Sequence, residues 1–206
     1  MGAYLLFPGS SPFELLAFTA NRPLHVETLP GAAIALLAGL GVGTASLTYD
    51  SGSFNVIAPA AAPAIDALRI VQPLLLLGTL VISGAAIVRG EHPSPRVLVT
   101  ACVASLLALI ISNRVLSPQY LIWLLPFMAL LAGRLRWLLV GAVALTAIVF
   151  PWLYSALIEG QPLPLLLVLL RNVLLVAAWV AAVGALGLPS VAHVRFGQPA
   201  ANGGCA

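Results

Sequence analysis

Long stretches without a charged residue, broken only by Pro, Gly and isolated Arg, are the feature that most restricts what this chain can become. No charge falls between Val97 and Ser112 or between Trp137 and Ile158, and Arg171 alone interrupts Pro164 to Leu188. A helix that crosses the hydrocarbon core of a bilayer needs about 20 mostly apolar residues. A soluble domain is typically about 25% charged, whereas here 7% of residues are charged and 61% are apolar. These values exclude an ordinary soluble domain. A mean hydropathy of +1.09 excludes a disordered chain, and a formal charge of +3 is too sparse for a nucleic-acid surface. All nine basic residues are Arg, so lysine chemistry is excluded as well.

Six segments are candidates for spans: Gly31 to Tyr49, Ala67 to Val88, Val97 to Ser112, Pro118 to Gly133, Trp137 to Ile158 and Pro164 to Leu188. The third and fourth are short enough to be tilted, broken or partly re-entrant. Backbone groups in lipid have to be satisfied within each helix. The expected fold class is therefore all-α, a polytopic transmembrane helical bundle of about six spans without a sheet. Residues 1–30 read as a juxtamembrane or interfacial segment, 31–188 as the transmembrane domain and 189–206 as a flexible tail. The expected location is the cell membrane, as a multi-pass protein.

Cytoplasmic loops accumulate Arg. With six spans, one side holds Arg22, Arg89, Arg96, Arg134, Arg136 and Arg195, and the other holds Arg69 and Arg114. This puts both termini inside and the loops at Asp50 to Asp66, Asn113 to Ser117 and Glu159 to Leu163 outside. Cys102 lies in an apolar run and Cys205 is second from the end, so neither a disulfide framework nor prenylation is expected. The first nine residues lack the basic start of a cleavable signal. Gly31, Ala35, Gly39 and Gly43 form a stripe of small residues that suits close helix packing. No metal-ligand set, cofactor signature or internal repeat is evident.

Chemistry concentrates in Asn113 to Tyr120. Ser117 suits an N-cap and Pro118 a first helical position. The exposed N–H groups and dipole of such a helix start, with Arg114 upstream and Gln119 and Tyr120 in the first turn, would favour a phosphate. The competing reading is a capped helix whose Arg114 sits at the interface. Tyr120, Trp123 and Phe127 share one helical face, for packing or for lining a lipid or sugar groove. Pro126 is expected to kink that helix and free a carbonyl near residue 122. Arg22, His25 and Glu27 form a compact polar group before the first span, readable as a juxtamembrane ion pair or as part of a site. Arg171 lies inside the last span, where an ionisable side chain faces a protein interior or a wet cavity. Asp66 and Glu159 are its candidate outer-side partners.

The run Leu116-Ser-Pro-Gln-Tyr-Leu-Ile-Trp-Leu-Leu-Pro126 resembles the Ser-Pro-Gln-Tyr-Leu-x-Trp-Leu-x-Pro signature of the polyprenol-phosphate-dependent mannosyltransferases of glycosyltransferase family 87, in the GT-C superfamily. Arg22-Pro-Leu-His-Val-Glu27 and the Arg171-Asn172 pair are similar to two further stretches of that family. The resemblance implies transfer of a hexose, mannose in the family, from a polyprenol-phosphate sugar to an acceptor hydroxyl on the outer face, without a bound cofactor. It implies donor-phosphate contacts at Arg114, Ser117, Gln119 and Tyr120, with Arg22, His25, Glu27, Trp123 and Arg171 along the substrate path. Family members are longer, with their catalytic acid in an early outer loop. The resemblance therefore implies a C-terminal portion whose N-terminal half is missing, and it carries over no catalytic base. The alternatives are a transporter or lipid-handling protein and a non-catalytic packing subunit.

Overall fold

A computed structural model describes residues 22–89 and 94–187. The expectations for the first residues of segment 1–30 and for the tail at 189–206 lie outside the described residues.

The first helix, α1, runs Leu29–Gly39. Thr28 caps it, accepting the Gly31 N–H on its hydroxyl oxygen at 3.1 Å. It stops after 11 residues because Gly41 takes φ +84°. Val42 N–H then bonds Leu37 O at 2.8 Å, and Gly41 N–H bonds Ala38 O at 3.0 Å, the paired bonds of a Schellman ending. The expected span from Gly31 to Tyr49 is thus not one helix, and α1 is too short to cross a bilayer.

The chain instead forms an antiparallel hairpin, β1 (Ser46–Asp50) and β2 (Ser53–Ile57), which corrects the expectation of no sheet. Ser51 and Gly52 sit at φ +54° and +76°, both positive as a two-residue type I′ turn demands. Leu24 to Val26 lies along β2, with Val26 N–H on Phe54 O at 3.0 Å and Val56 N–H on Leu24 O at 2.8 Å.

Among the described residues four helices are long and apolar enough to cross a membrane. They are α2 (Ala61–Val88), α3 (Pro95–Ser112), a run from Gly133 to Ile158, and the last helix, Pro162–Gly187. Between α3 and the third of these, the expected fourth span is a seven-residue 3-10 helix, Pro118–Leu124, followed by a short α4, Leu125–Met128. The cause is local: Pro126 has no N–H for the Ile122 carbonyl, which accepts instead from Leu125 N–H. Pro126 therefore opens α4 rather than kinking a longer helix. The third long run comprises α5 (Gly133–Ile148), a π-type turn (Val149–Leu153) where Phe150 before Pro151 leaves helical geometry, and α6 (Tyr154–Ile158). The last helix is α7.

The core forms three layers along the bundle. At one end Val26, Ala32, Ala35 and Val56 pack with Val149, Leu157, Leu165 and Val168. In the middle Val103, Leu107 and Ile110 meet Leu121, Leu124, Leu139, Leu175 and Ala178. At the other end Ala101, Ala104, Ala182 and Leu186 pack with Val97 and Leu135. Since α7 starts in the first layer and α5 starts in the third, residues 118–132 descend through the bundle between them.

This arrangement places Arg22 at the same end as Arg114, because His25 N–H bonds Arg114 O at 3.0 Å. The expectation that Arg22 shares a side with Arg89, Arg96, Arg134 and Arg136 is therefore corrected. The described N-terminal segment and the end of α7 lie at opposite ends, since the described residues before α2 do not cross. In a Cys102→Ser, Cys205→Ser background, Pro23→Cys and Asp50→Cys should react with an impermeant thiol reagent from one side. Ser94→Cys and Arg136→Cys should react from the other. Labelling of Pro23→Cys with the second pair would restore a crossing by the segment from Gly31 to Tyr49.

Candidate functional site

The turn from His25 to Thr28 is tied down by several backbone hydrogen bonds. The His25 carbonyl accepts from Thr28 N–H at 3.1 Å and from the Thr28 hydroxyl at 2.7 Å. Gly31 lies against the same carbonyl, so closely that a Cβ there would collide with it. Its lack of a side chain thus serves this turn. Ala35 packs in the core layer beside α7 and Gly39 approaches Gly160, as a small-residue face should. Gly43 falls beyond the helix, at φ +81°, and is no part of that face.

The turn aims Glu27 at α7. Arg171 Nη1 donates to Glu27 Oε2 at 2.8 Å, and Nη2 donates to the Glu27 carbonyl at 2.7 Å. Asn172 completes the cluster, its Nδ2 donating to the same carbonyl at 2.9 Å and its Oδ1 accepting from Arg171 Nε at 3.2 Å. Arg171 and Glu27 are each 1% exposed. Burial pushes the Glu27 carboxyl up and the adjacent guanidinium pulls it back. The partner of Arg171 is therefore Glu27, not Asp66 or Glu159. Asp66 instead pairs with Arg69 on the surface, and the Glu159 carboxylate accepts from Gln161. Arg22, expected beside Glu27, donates to Ser51 O at 2.5 Å and Ser53 Oγ at 3.1 Å.

Against this turn opens a cavity of about 270 Å³ whose lining joins the two sequence motifs: Arg22, His25 and Glu27 on one wall, Ser117, Gln119 and Tyr120 on another. Tyr49, Ser53, Phe150 and Tyr154 close the remaining walls. Of the other candidate residues, Arg171 stands behind Glu27, out of solvent. Arg114 lies outside the lining but next to it, since its carbonyl holds His25. Partial burial and the charge of Arg69 lower its pKa. Trp123 stacks on Tyr120 at 4.9 Å between centroids, the eclipsed i, i+3 relation of a 3-10 helix, and is 49% exposed.

One expected device is absent. Ser117 makes no side-chain cap, the element it precedes is a seven-residue 3-10 helix, and Tyr120 N–H is taken by Ser117 O at 2.9 Å. Pro118 has no N–H, so the first turn offers no fan of free donors and no long-helix dipole to an anion. Positive charge in the cavity wall comes from Arg22 instead. His25 contributes none: burial, above all, holds its pKa down to about 4, with the neighbouring Leu116 carbonyl opposing. Among the described residues no three His, Cys, Asp or Glu side chains gather as a metal site.

A second, apolar groove of about 150 Å³ adjoins the cavity. Leu121, Ile122, Leu125, Val143 and Ala147 line it, and it shares Pro118 and Phe150 with the polar cavity. The sequence reading missed Tyr49, Ser53, Phe150 and Tyr154. The Asp50-Ser-Gly-Ser53 run, flanked by alternating Leu47, Tyr49 and Phe54, Val56, is a hairpin signal that would have located the first two.

Removing one member of a buried ion pair strands the other. Glu27→Ala should lower unfolding stability in detergent by about 3 to 5 kcal/mol, and Arg171→Leu should match it, whereas Asp66→Ala should change it by under about 1 kcal/mol. Thermal unfolding of the purified chain measures the contrast, and equal effects would place Glu27 and Arg171 in solvent. Gly31→Ala should destabilise as well, by displacing the His25 carbonyl. Comparison of the chain with protein-family models, characterised proteins and solved structures finds no match.

Proposed function

We propose that this chain is the donor-binding portion of an integral membrane glycosyltransferase, which moves a hexose, mannose in the first instance, from a polyprenol-phosphate sugar to an acceptor on the outer face. The observation that carries the reading is the junction of two unlike spaces. A polar cavity with a guanidinium and aromatic walls meets an apolar groove across Pro118 and Phe150. An amphiphile with a phosphorylated sugar head and an isoprenoid tail matches that division. Aromatic faces suit sugar rings, and Arg22 suits the phosphate.

The end carrying Arg89, Arg96, Arg134 and Arg136 is assigned to the cytoplasm, which puts the cavity on the outer side. Donor binding is favoured over transfer by this chain alone. Among the described residues Glu27 is the carboxylate that lines the cavity, and its commitment to Arg171 makes it a poor general base. Transfer would then require a carboxylate base supplied from elsewhere, as the proposed N-terminal half would do. A transport path is disfavoured by the middle layer, where Leu107, Ile110, Leu124, Leu139 and Leu175 are each 1% exposed or less and fill the bundle below the cavity.

The test is binding of undecaprenyl phosphate and undecaprenol to the full chain in lipid nanodiscs. The phosphate form should bind more tightly, and Arg22→Gln should weaken it roughly tenfold or more, the scale of a charged hydrogen bond, without affecting undecaprenol. Ala147→Trp, which fills the groove, should weaken undecaprenyl phosphate more than a short prenyl phosphate. Equal affinity for the alcohol and the phosphate would overturn the reading.

A further inference from the structure

The cavity holds a polar atom that the protein itself leaves unmatched. His25 is 4% exposed, lines the cavity, and its Nδ1 is buried without a hydrogen-bond partner. A buried polar group left in this state is destabilising until something pairs with it. The backbone that carries the ring is fixed on both sides, by His25 N–H to Arg114 O at 3.0 Å and by Thr28 N–H to His25 O at 3.1 Å.

We propose that His25 Nδ1 pairs with a hydroxyl of the ligand's head group, so that His25 is the specificity residue separating a sugar-bearing lipid phosphate from the bare lipid phosphate. The inference rests on the cavity being the head-group site. A neutral imidazole offers one N–H and one lone pair. With the ring's one N–H engaged by the Leu116 carbonyl, Nδ1 presents its lone pair, which repels an ionised phosphate oxygen and accepts from a hydroxyl. The burial that keeps the ring neutral argues the same way, since a phosphate-binding histidine gains by being charged. The phosphate is then left to Arg22, on the same wall.

The probes are undecaprenyl phosphate mannose and undecaprenyl phosphate, titrated against the full chain in nanodiscs. His25→Phe should weaken the mannose-bearing lipid roughly tenfold and leave the bare phosphate within about twofold, while His25→Gln, which keeps a donor and an acceptor, should recover much of the difference. Equal weakening of both lipids would assign His25 a structural role and overturn the proposal, as would no change in either. A wild-type chain that binds neither lipid would remove the head-group reading first, and this assignment with it. Should His25→Phe fail to fold, as read by thermal unfolding, deoxymannosyl phosphate lipids carry the test on the wild-type chain. Loss of one particular hydroxyl should then cost about tenfold, and uniform binding of every deoxy analogue would refute the pairing.

Discussion

The buried pair between Glu27 and Arg171 ties the turn before α1 to the last helix. Arg171 is 144 residues from its partner and sits in the middle of an apolar helix, where an unpaired guanidinium would cost several kcal/mol. Satisfying it draws the turn at residues 25–28 onto α7. That placement brings α1 against α7 and lays Leu24 to Val26 beside β2. The His25 to Arg114 bond then closes the turn onto the loop before the 3-10 helix. The cavity is the space left between these pieces. Its polar wall is a by-product of neutralising one arginine.

Much of this order was legible in the residues. The four long helices each contain nearly all of an expected span, Ala67 to Val88, Val97 to Ser112, Trp137 to Ile158 and Pro164 to Leu188, and an arginine within α7 had to find a polar partner. Six of the candidate site residues, from two motifs about 90 residues apart in the sequence, line one cavity. What failed did so for local reasons. Apolar content alone made a span of residues 31–49, but Gly41 and the Ser51-Gly52 turn end one helix and reverse a hairpin within that stretch. Charge counting then put Arg22 on the wrong end, because each missed or false crossing inverts everything before it. The choice of Glu27 over Asp66 and Glu159 was not legible, since it depends on tertiary contact.

The division of labour at the cavity also differs from the one that motif reading alone would assign. The Ser117 to Tyr120 run looked like a helix start built for an anion. In the fold it is a wall, contributing a tyrosine ring and an amide side chain, while charge comes from the strand-like segment opposite. Proline spacing explains the change. Pro118 and Pro126 each withhold an N–H, and the chain between them settles into three-residue spacing rather than a continuous α-helix.

That spacing has a consequence for biogenesis. A 3-10 helix rises about 2.0 Å per residue against 1.5 Å for an α-helix, so a short segment covers a disproportionate share of the bilayer's thickness. Read by an insertion machine in sequence order, however, it is too brief and too interrupted to partition into lipid as an independent unit. α3 and the Gly133 to Ile158 run can each enter alone, and the segment between them has to be drawn in afterwards by Leu121, Leu124 and Leu131 as the middle layer closes. One wall of the cavity is thus assembled late, after its neighbours are already in the membrane.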